Sequence, residues 1–513
     1  MRSTRLHITR MEKHLSRPPL RQATGKSGSL LSFGLLAAIV CLSPQTSQAQ
    51  QSATSLSAEM RALLRTEAPV LVVRHVTLFD GTGSAPMHDA AVLVDHGRIR
   101  AVGRNASVLT PVGALVVDGT GKTMLPGLVG MHEHLFFPKL GGSLILGAEL
   151  GQSAPRMYLS AGVTTARTTG SIEPVTDLAI KHLIETGKQA GPDLDLTGPY
   201  LDGPDTGFLP NQAIKNPSDV RETVQYWSQR GITSFKAYMF LPPEDLQAAI
   251  EAAHAQGMKL TGHLCSVGYK QAIAMGIDNL EHGLIEDSDL NPATPTAGVC
   301  PDRGRTEQAV ANVDVQGEVV QSLIRELVKH HVAITSTLAV YVDSEPAQPT
   351  LESLASSKAA MSPSAWDAYL SVRKHLQDSP DKELQQRMIK KEMAFEREFF
   401  QKGGLLMAGA DPTGVGNVVA GIADAREMEL LIEAGFSPAE AVTIFSRNGA
   451  RYLNREQEIG TVEVGKRADL VLLNGDFERD ASAIERPEIV FKEGLAWDTY
   501  KLRISVAGLT GEL

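Results

Sequence analysis

Cysteine, tryptophan and long apolar runs are all scarce in this chain of 513 residues. Three cysteines are too few for a disulfide-stapled scaffold, so the fold must rest on an ordinary hydrophobic core. Aromatic residues make up only 5% of the sequence, and the core must be built from aliphatic side chains. Past residue 50 there is no stretch of about 20 apolar residues, which argues against a membrane-spanning helix in that part. A basic surplus is also missing. Lys and Arg number 49 against 59 Asp and Glu, a net charge of −10, the wrong sign for nucleic acid or anionic lipid. What remains is a globular composition, 42% hydrophobic and 21% charged, long enough for a barrel of about 250 residues with a smaller unit beside it.

The first 49 residues stand apart. Seven basic residues, Arg2, Arg5, Arg10, Lys13, Arg17, Arg21 and Lys26, precede an apolar run from Leu30 to Leu42, and Ser47-Gln48-Ala49 follows. That order is a secretory signal layout. It predicts a signal peptide over residues 1–49, cleavage near Ala49, and export to the periplasm or medium, with Met11 as an alternative to Met1 as the start. Cleavage would remove Cys41 and make the remainder more acidic still. Cys265 and Cys300 would be left, either as one disulfide or as two free thiols.

From Val70 to Val117, short Val/Leu/Ile runs alternate with Asp-Gly, His-Gly and Gly-Lys turns. The far end repeats the pattern at Ala468–Gly475 and Ile489–Gly494. Residues 66–124 and 455–513 are therefore expected to form one small β-sandwich from both chain ends. Between them, residues 125–454 read as strand–helix units, eight in all: Gly127–His134, then 163–170, 193–201, 232–239, 259–265, 279–283, 332–340 and 405–412. Eight such units predict an α/β fold, a (β/α)8 TIM barrel with chemistry at the C-terminal ends of the strands. An insertion from about Asp343 to Gly403 ends in a charged helical stretch, expected to be a solvated helix leading into strand eight.

Polar residues collect at those strand ends. In LPGLVGMHEHLFF, strand alternation sends His132 and His134 to one side and Glu133 to the other. Strand four offers Lys236, strand five His263, strand six His282 and strand eight Asp411. Four imidazoles and a carboxylate form a donor set that Zn2+ prefers. A desolvated lysine near cations can lose its proton and take up CO2 as a carbamate, which supplies a carboxylate on a long arm. Tyr238, two residues beyond Lys236, is expected on the same side of strand four. Glu133, Glu281 and the His330-His331 pair are expected in supporting or surface positions, and His254 in a structural one.

This constellation, with GLVGMHEHL, GVTTART, EAAHAQGMKLTGH, GIDNLEHG and IGTVEVGKRADLVLLNGD, resembles the amidohydrolase superfamily, in its imidazolonepropionase-like and prolidase-like branch. The likeness runs from about Val70 to Gly494. It implies two divalent metal ions, most simply Zn2+, with His132, His134 and Asp411 on a buried ion and His263 and His282 on an outer one. Lys236, carboxylated by CO2, would bridge the two. It further implies an enzyme acting on carbon–nitrogen bonds: the ions activate water, Asp411 serves as general base then general acid, and His282 and Tyr238 steady the carbonyl oxygen. The substrate class implied is a small amide: a dipeptide, an N-acyl amino acid or an ochratoxin-like amide, with Phe136 and Phe137 favouring an aromatic group. Lactone, cyclic-imide or phosphotriester hydrolysis is the alternative on the same site, and a metal-free binding protein the remote one. The partners expected are a small-molecule substrate and further copies of the chain in a homo-oligomer, with no nucleic acid and no membrane span.

Overall fold

The computed structural model describes residues 55–141, 144–204, 206, 211–293, 296, 298–341, 350–413 and 418–512. The expected signal peptide, residues 1–49, lies outside the described residues. The protein is α/β. Eight strands supply its centre: β1 (Leu128–Glu133), β2 (Val163–Thr168), β3 (Thr197–Asp202), β4 (Ser234–Ala237), β5 (Lys259–Gly262), β6 (Asn279–Glu281), β7 (Ala333–Ser336) and β8 (Leu406–Ala408). They fall in the eight segments expected. β1 pairs with β2 and β2 with the short strand Asp193–Asp195, which leads through Leu196 into β3. From β3 to β8 each strand pairs with the next, and every one of these pairings is parallel. At the far edge the Asp411 amide donates to the His132 carbonyl at 2.9 Å, so the end of β8 meets the end of β1. Gly409 permits this approach, because a Cβ there would collide with the His132 backbone.

Helices alternate with the strands, and several bury a single stripe. α1 (Pro243–Ala255) starts with Pro at its first turn beside Glu244 and Asp245, favourable there, and buries Leu246, Ala249, Ile250 and Ala253 at helical spacing. α2 (Arg303–Asn312) follows β6, and α3 (Glu318–Lys329) buries Val320, Leu323, Ile324 and Leu327 before β7. The insertion contains helices Leu351–Ala360 and Pro363–Gln377, then α4 (Lys382–Gln401). The expectation of a solvated α4 fails. Met388, Ile389, Met393, Phe395 and Phe399 are buried with Glu392 and Glu396, and together they follow two rows of three- and four-residue steps, 388/392/395/399 and 389/393/396, among its charges. α5 (Ile422–Glu433) follows β8.

Both chain ends share one nine-stranded sheet, in the order Leu64–Thr66, Leu495–Asp498, Pro487–Lys492, Leu470–Leu473, Thr123–Pro126, Val70–Leu78, Met87–Asp95, Arg98–Arg104, with Leu115–Asp118 beside Val70–Leu78. Alternation along Val70–Leu78 divides it between two faces. Leu71, Val73, Val76 and Leu78 join Met124, Leu470 and Phe491, while Val72 packs with Ala91 and Val108 on the other side. Asp193 ties this sheet to the parallel strands through Arg467 (2.6 Å), Lys492 (2.8 Å) and Arg455 (3.0 Å). Among the described residues no helix is long and apolar enough to cross a membrane.

Candidate metal centre

His132 is the penultimate residue of β1 and His134 follows its end; both rings are fully buried. Glu133 points away, as alternation requires, and accepts the Ala410 amide at 3.2 Å. Asp411, just past β8, faces the histidines: its Oδ1 lies 3.1 Å from His134 Nε2, and its Oδ2 lies 3.7 Å from His132 Nε2 and 3.8 Å from His282 Nε2. His132, His134 and Asp411 each present a ligand atom within 4.8 Å of the others, a span one ion can bridge. Lys236 Nζ reaches His132 Nε2 at 3.2 Å, and the His263 and His282 rings stand 4.5 Å apart, with His282 4.8 Å from His132. All six expected metal ligands therefore converge. Two lie in left-handed backbone, His282 at φ 67° and Asp411 at φ 43°, strain of the kind that collects at functional sites.

Whether these residues suit a metal is answered by their free atoms and charges. His282 Nδ1 bonds Thr337 Oγ1 at 2.7 Å, while its buried Nε2 has no hydrogen-bond partner. Burial, with the neighbouring imidazoles, holds His282 well below its usual range, and burial beside Lys236 takes His132 down to about 4, so both rings are neutral. Burial would raise Asp411, but His132, His134 and His282 overcome it and keep the carboxylate ionised. Burial lowers Lys236 to about 8, which brings the neutral amine within reach near neutral pH. The donor set fits.

Four residues escaped the sequence reading. Arg167, 1% exposed, donates to Met131 O (2.8 Å), Asn279 Oδ1 (2.9 Å) and Glu281 Oε1 (2.8 Å); Glu281 Oε2 then takes His132 Nδ1 at 2.8 Å. Thr261 also donates to Glu281. Burial would raise Glu281, yet Arg167 and His132 hold it well below the usual carboxylate range. An arginine amid the Val/Thr/Ala run of β2 was a legible signal, of the same kind that singled out Lys236. Thr337, on His282 Nδ1, and Glu286, whose Oε2 lies 3.5 Å from His263 Nε2, carried none. Tyr200, paired with Lys236 in the β3–β4 register, brings its hydroxyl 3.4 Å from His134 Nδ1. Tyr238 lies just beyond β4, its ring 5.0 Å from His263 and 5.2 Å from Tyr200. Phe136 packs 4.8 Å from His134, whereas Phe137 belongs to the main core. Among the residues expected elsewhere, His254 pairs with Asp278 at 2.9 Å and His330 with Glu326 at 3.3 Å.

Parallel strands with a His-His-Asp ligand group at their ends define a metal-binding α/β protein. The family is given by comparison: the model described as "Amidohydrolase family" matches residues 123–494, and the chain belongs to that family. A dihydroorotase of Thermoanaerobacter sp. (strain X514) is 40% identical over 68 residues, covering 13% of this chain and only 15% of that enzyme's length. The fold resembles a Xaa-Pro dipeptidase structure with methionine bound in its active site (TM-score 0.61, 18% identity, 84% of this chain and 100% of that one). It also resembles A. niger ochratoxinase (TM-score 0.60, 16% identity, 84% and 96% covered).

Proposed function

We propose that this chain is a binuclear metal-dependent hydrolase of carbon–nitrogen bonds in small amides, such as dipeptides, N-acyl amino acids or ochratoxin-like amides. The observation that carries this reading is the convergence of His132, His134 and Asp411 with Lys236 Nζ 3.2 Å from His132 Nε2. On this reading the eight parallel strands close as a (β/α)8 barrel over residues 125–454. The nine-stranded sheet is the β-sandwich of residues 66–124 and 455–513. Residues 1–49 act as an export signal, so the mature chain works in the periplasm or outside the cell. His132, His134 and Asp411 would hold a buried Zn2+, His263 and His282 an outer one, and carboxylated Lys236 both. When bound, such ions supply an activated water and a Lewis acid. Asp411 takes the proton of the attacking water and returns it to the leaving nitrogen. Tyr238 and His282 hold the carbonyl oxygen as it gains charge, and buried Tyr200 and Phe136 keep bulk water from His134. The family, and structural neighbours named as a Xaa-Pro dipeptidase and an ochratoxinase, support an amide over a lactone or phosphotriester. The deciding experiment reconstitutes the protein with Zn2+, counts the metal and assays dipeptides, N-acyl amino acids, lactones and phosphotriesters. About two equivalents with amide turnover are expected; below about 1.5 equivalents, or turnover confined to esters, the reading is wrong.

A further inference from the structure

Of the imidazoles at the centre, His263 is the most open: its side chain is 14% exposed, against 0% for His132 and His134 and 2% for His282. The other rings are gripped from behind. His132 gives Nδ1 to Glu281 and His282 gives Nδ1 to Thr337, as histidine ligands commonly do with their second nitrogen. For His263 the carboxylate beside the ring is Glu286, whose Oε2 lies 3.5 Å from Nε2, an ion-pair distance at which that nitrogen makes no hydrogen bond. Glu286 ends the short turn Gly283–Glu286 that follows His282. Its other oxygen takes the Tyr341 hydroxyl at 3.4 Å and faces Arg303 at 3.7 Å.

Arg303 is the first residue of α2, three residues after Cys300, and Cys300 is joined by a disulfide to Cys265, two residues beyond His263. The chain thus forms a closed ring around this ligand. From His263 it runs along the backbone to Cys265, through the disulfide to Cys300, on to Arg303, across the ion pair to Glu286 and back to the imidazole. α2 is itself anchored, since Asp302 caps the Arg305 amide at 3.0 Å and Asn291 binds Thr306 at 2.9 Å.

We propose that this ring is a brace for the outer metal ion: Glu286 is the positioning residue of His263, and Arg303 and the Cys265–Cys300 disulfide hold Glu286 and the β5 end in register. The inference rests on the binuclear reading above. Losing such a partner typically costs 10- to 100-fold in metal affinity. The loss here is specific to one ion, because the buried one would depend on His132, His134, Asp411 and Lys236, with Glu281 on His132, none of which the ring includes.

The test is metal retention by the full Zn2+-loaded chain against a graded chelator series, with the two ions resolved by their affinities. Glu286→Gln keeps the shape of the side chain and removes its charge. It is expected to weaken the outer ion by about 10- to 100-fold and leave the buried ion at its parental affinity. The double variant Cys265→Ser/Cys300→Ser, and the parent after thiol reduction, should shift the outer ion in the same direction. Equal weakening of both ions would mean general loosening and would overturn the brace, as would parental affinity for both in Glu286→Gln. A parent that never binds a second ion sinks the binuclear reading itself. A parent that binds two, beside variants that bind two equally well, sinks the brace alone.

Discussion

Replacing Arg167 with methionine tests the polar interior beneath the metal centre. Arg167 is 1% exposed and Glu281 is fully buried; removing the guanidinium leaves Glu281 with His132 and Thr261 but without its cation. Breaking a buried ion pair from one side costs about 3–5 kcal/mol, because the remaining charge is uncompensated. Unfolding entropy of about 2.1 cal/mol/K per residue over roughly 460 residues is about 1 kcal/mol/K, so the transition should fall by about 3–5 °C. Calorimetry on metal-stripped protein separates this from any metal effect. The double variant Arg167→Met/Glu281→Gln removes the orphaned charge and should recover most of the loss, since replacing both partners is often near neutral. A fall under about 1 °C, or a double variant as unstable as the single, would refute the reasoning.

Three further outcomes are expected. Lys236→Ala should lose metal and activity together, with partial rescue by a small added carboxylate; full metal content without one would remove the carbamate bridge. Asp193 is held well below the usual carboxylate range: burial would raise it, but Arg467, Lys492 and Arg455 win. Because the folded value lies under the unfolded one near 3.9, this stabilisation is complete above about pH 4 and is lost as pH falls through the folded value. Asp193→Asn should therefore be less stable than the parent at pH 7 in urea titrations, with the gap closing only below about pH 4. Glu392 has the opposite sign. Burial pushes it up to about 8. The folded chain keeps that proton while the unfolded chain gives it up near 4.3, so stability falls between about pH 4.3 and 8. Glu392→Gln should flatten that slope and exceed the parent at pH 8, and an unchanged slope would count against it.

Much of the molecule was readable before any coordinates. Short apolar runs ending in His132, His134, Lys236, His263, His282 and Asp411 mark both the strands and the candidate ligands, because a strand end buried on one side has few reasons to carry such groups. In α4 the charges outnumber the apolar residues, and only the spacing of the buried positions betrays the inner face. Phe136 and Phe137 were treated as equals, although alternation in an extended chain sends neighbours to opposite sides.

Local residue type and spacing therefore determined the parallel α/β pattern, the candidate ligand set and the family. Tertiary structure decided what those residues lean on: Arg167 under Glu281, Thr337 behind His282, Glu286 and a disulfide beside His263. Partners separated by 168 positions, such as Arg167 and Thr335, or by 114, such as Arg167 and Glu281, leave no periodic trace in a sequence. Their contact depends on strand order and register, which arise only when the whole sheet assembles.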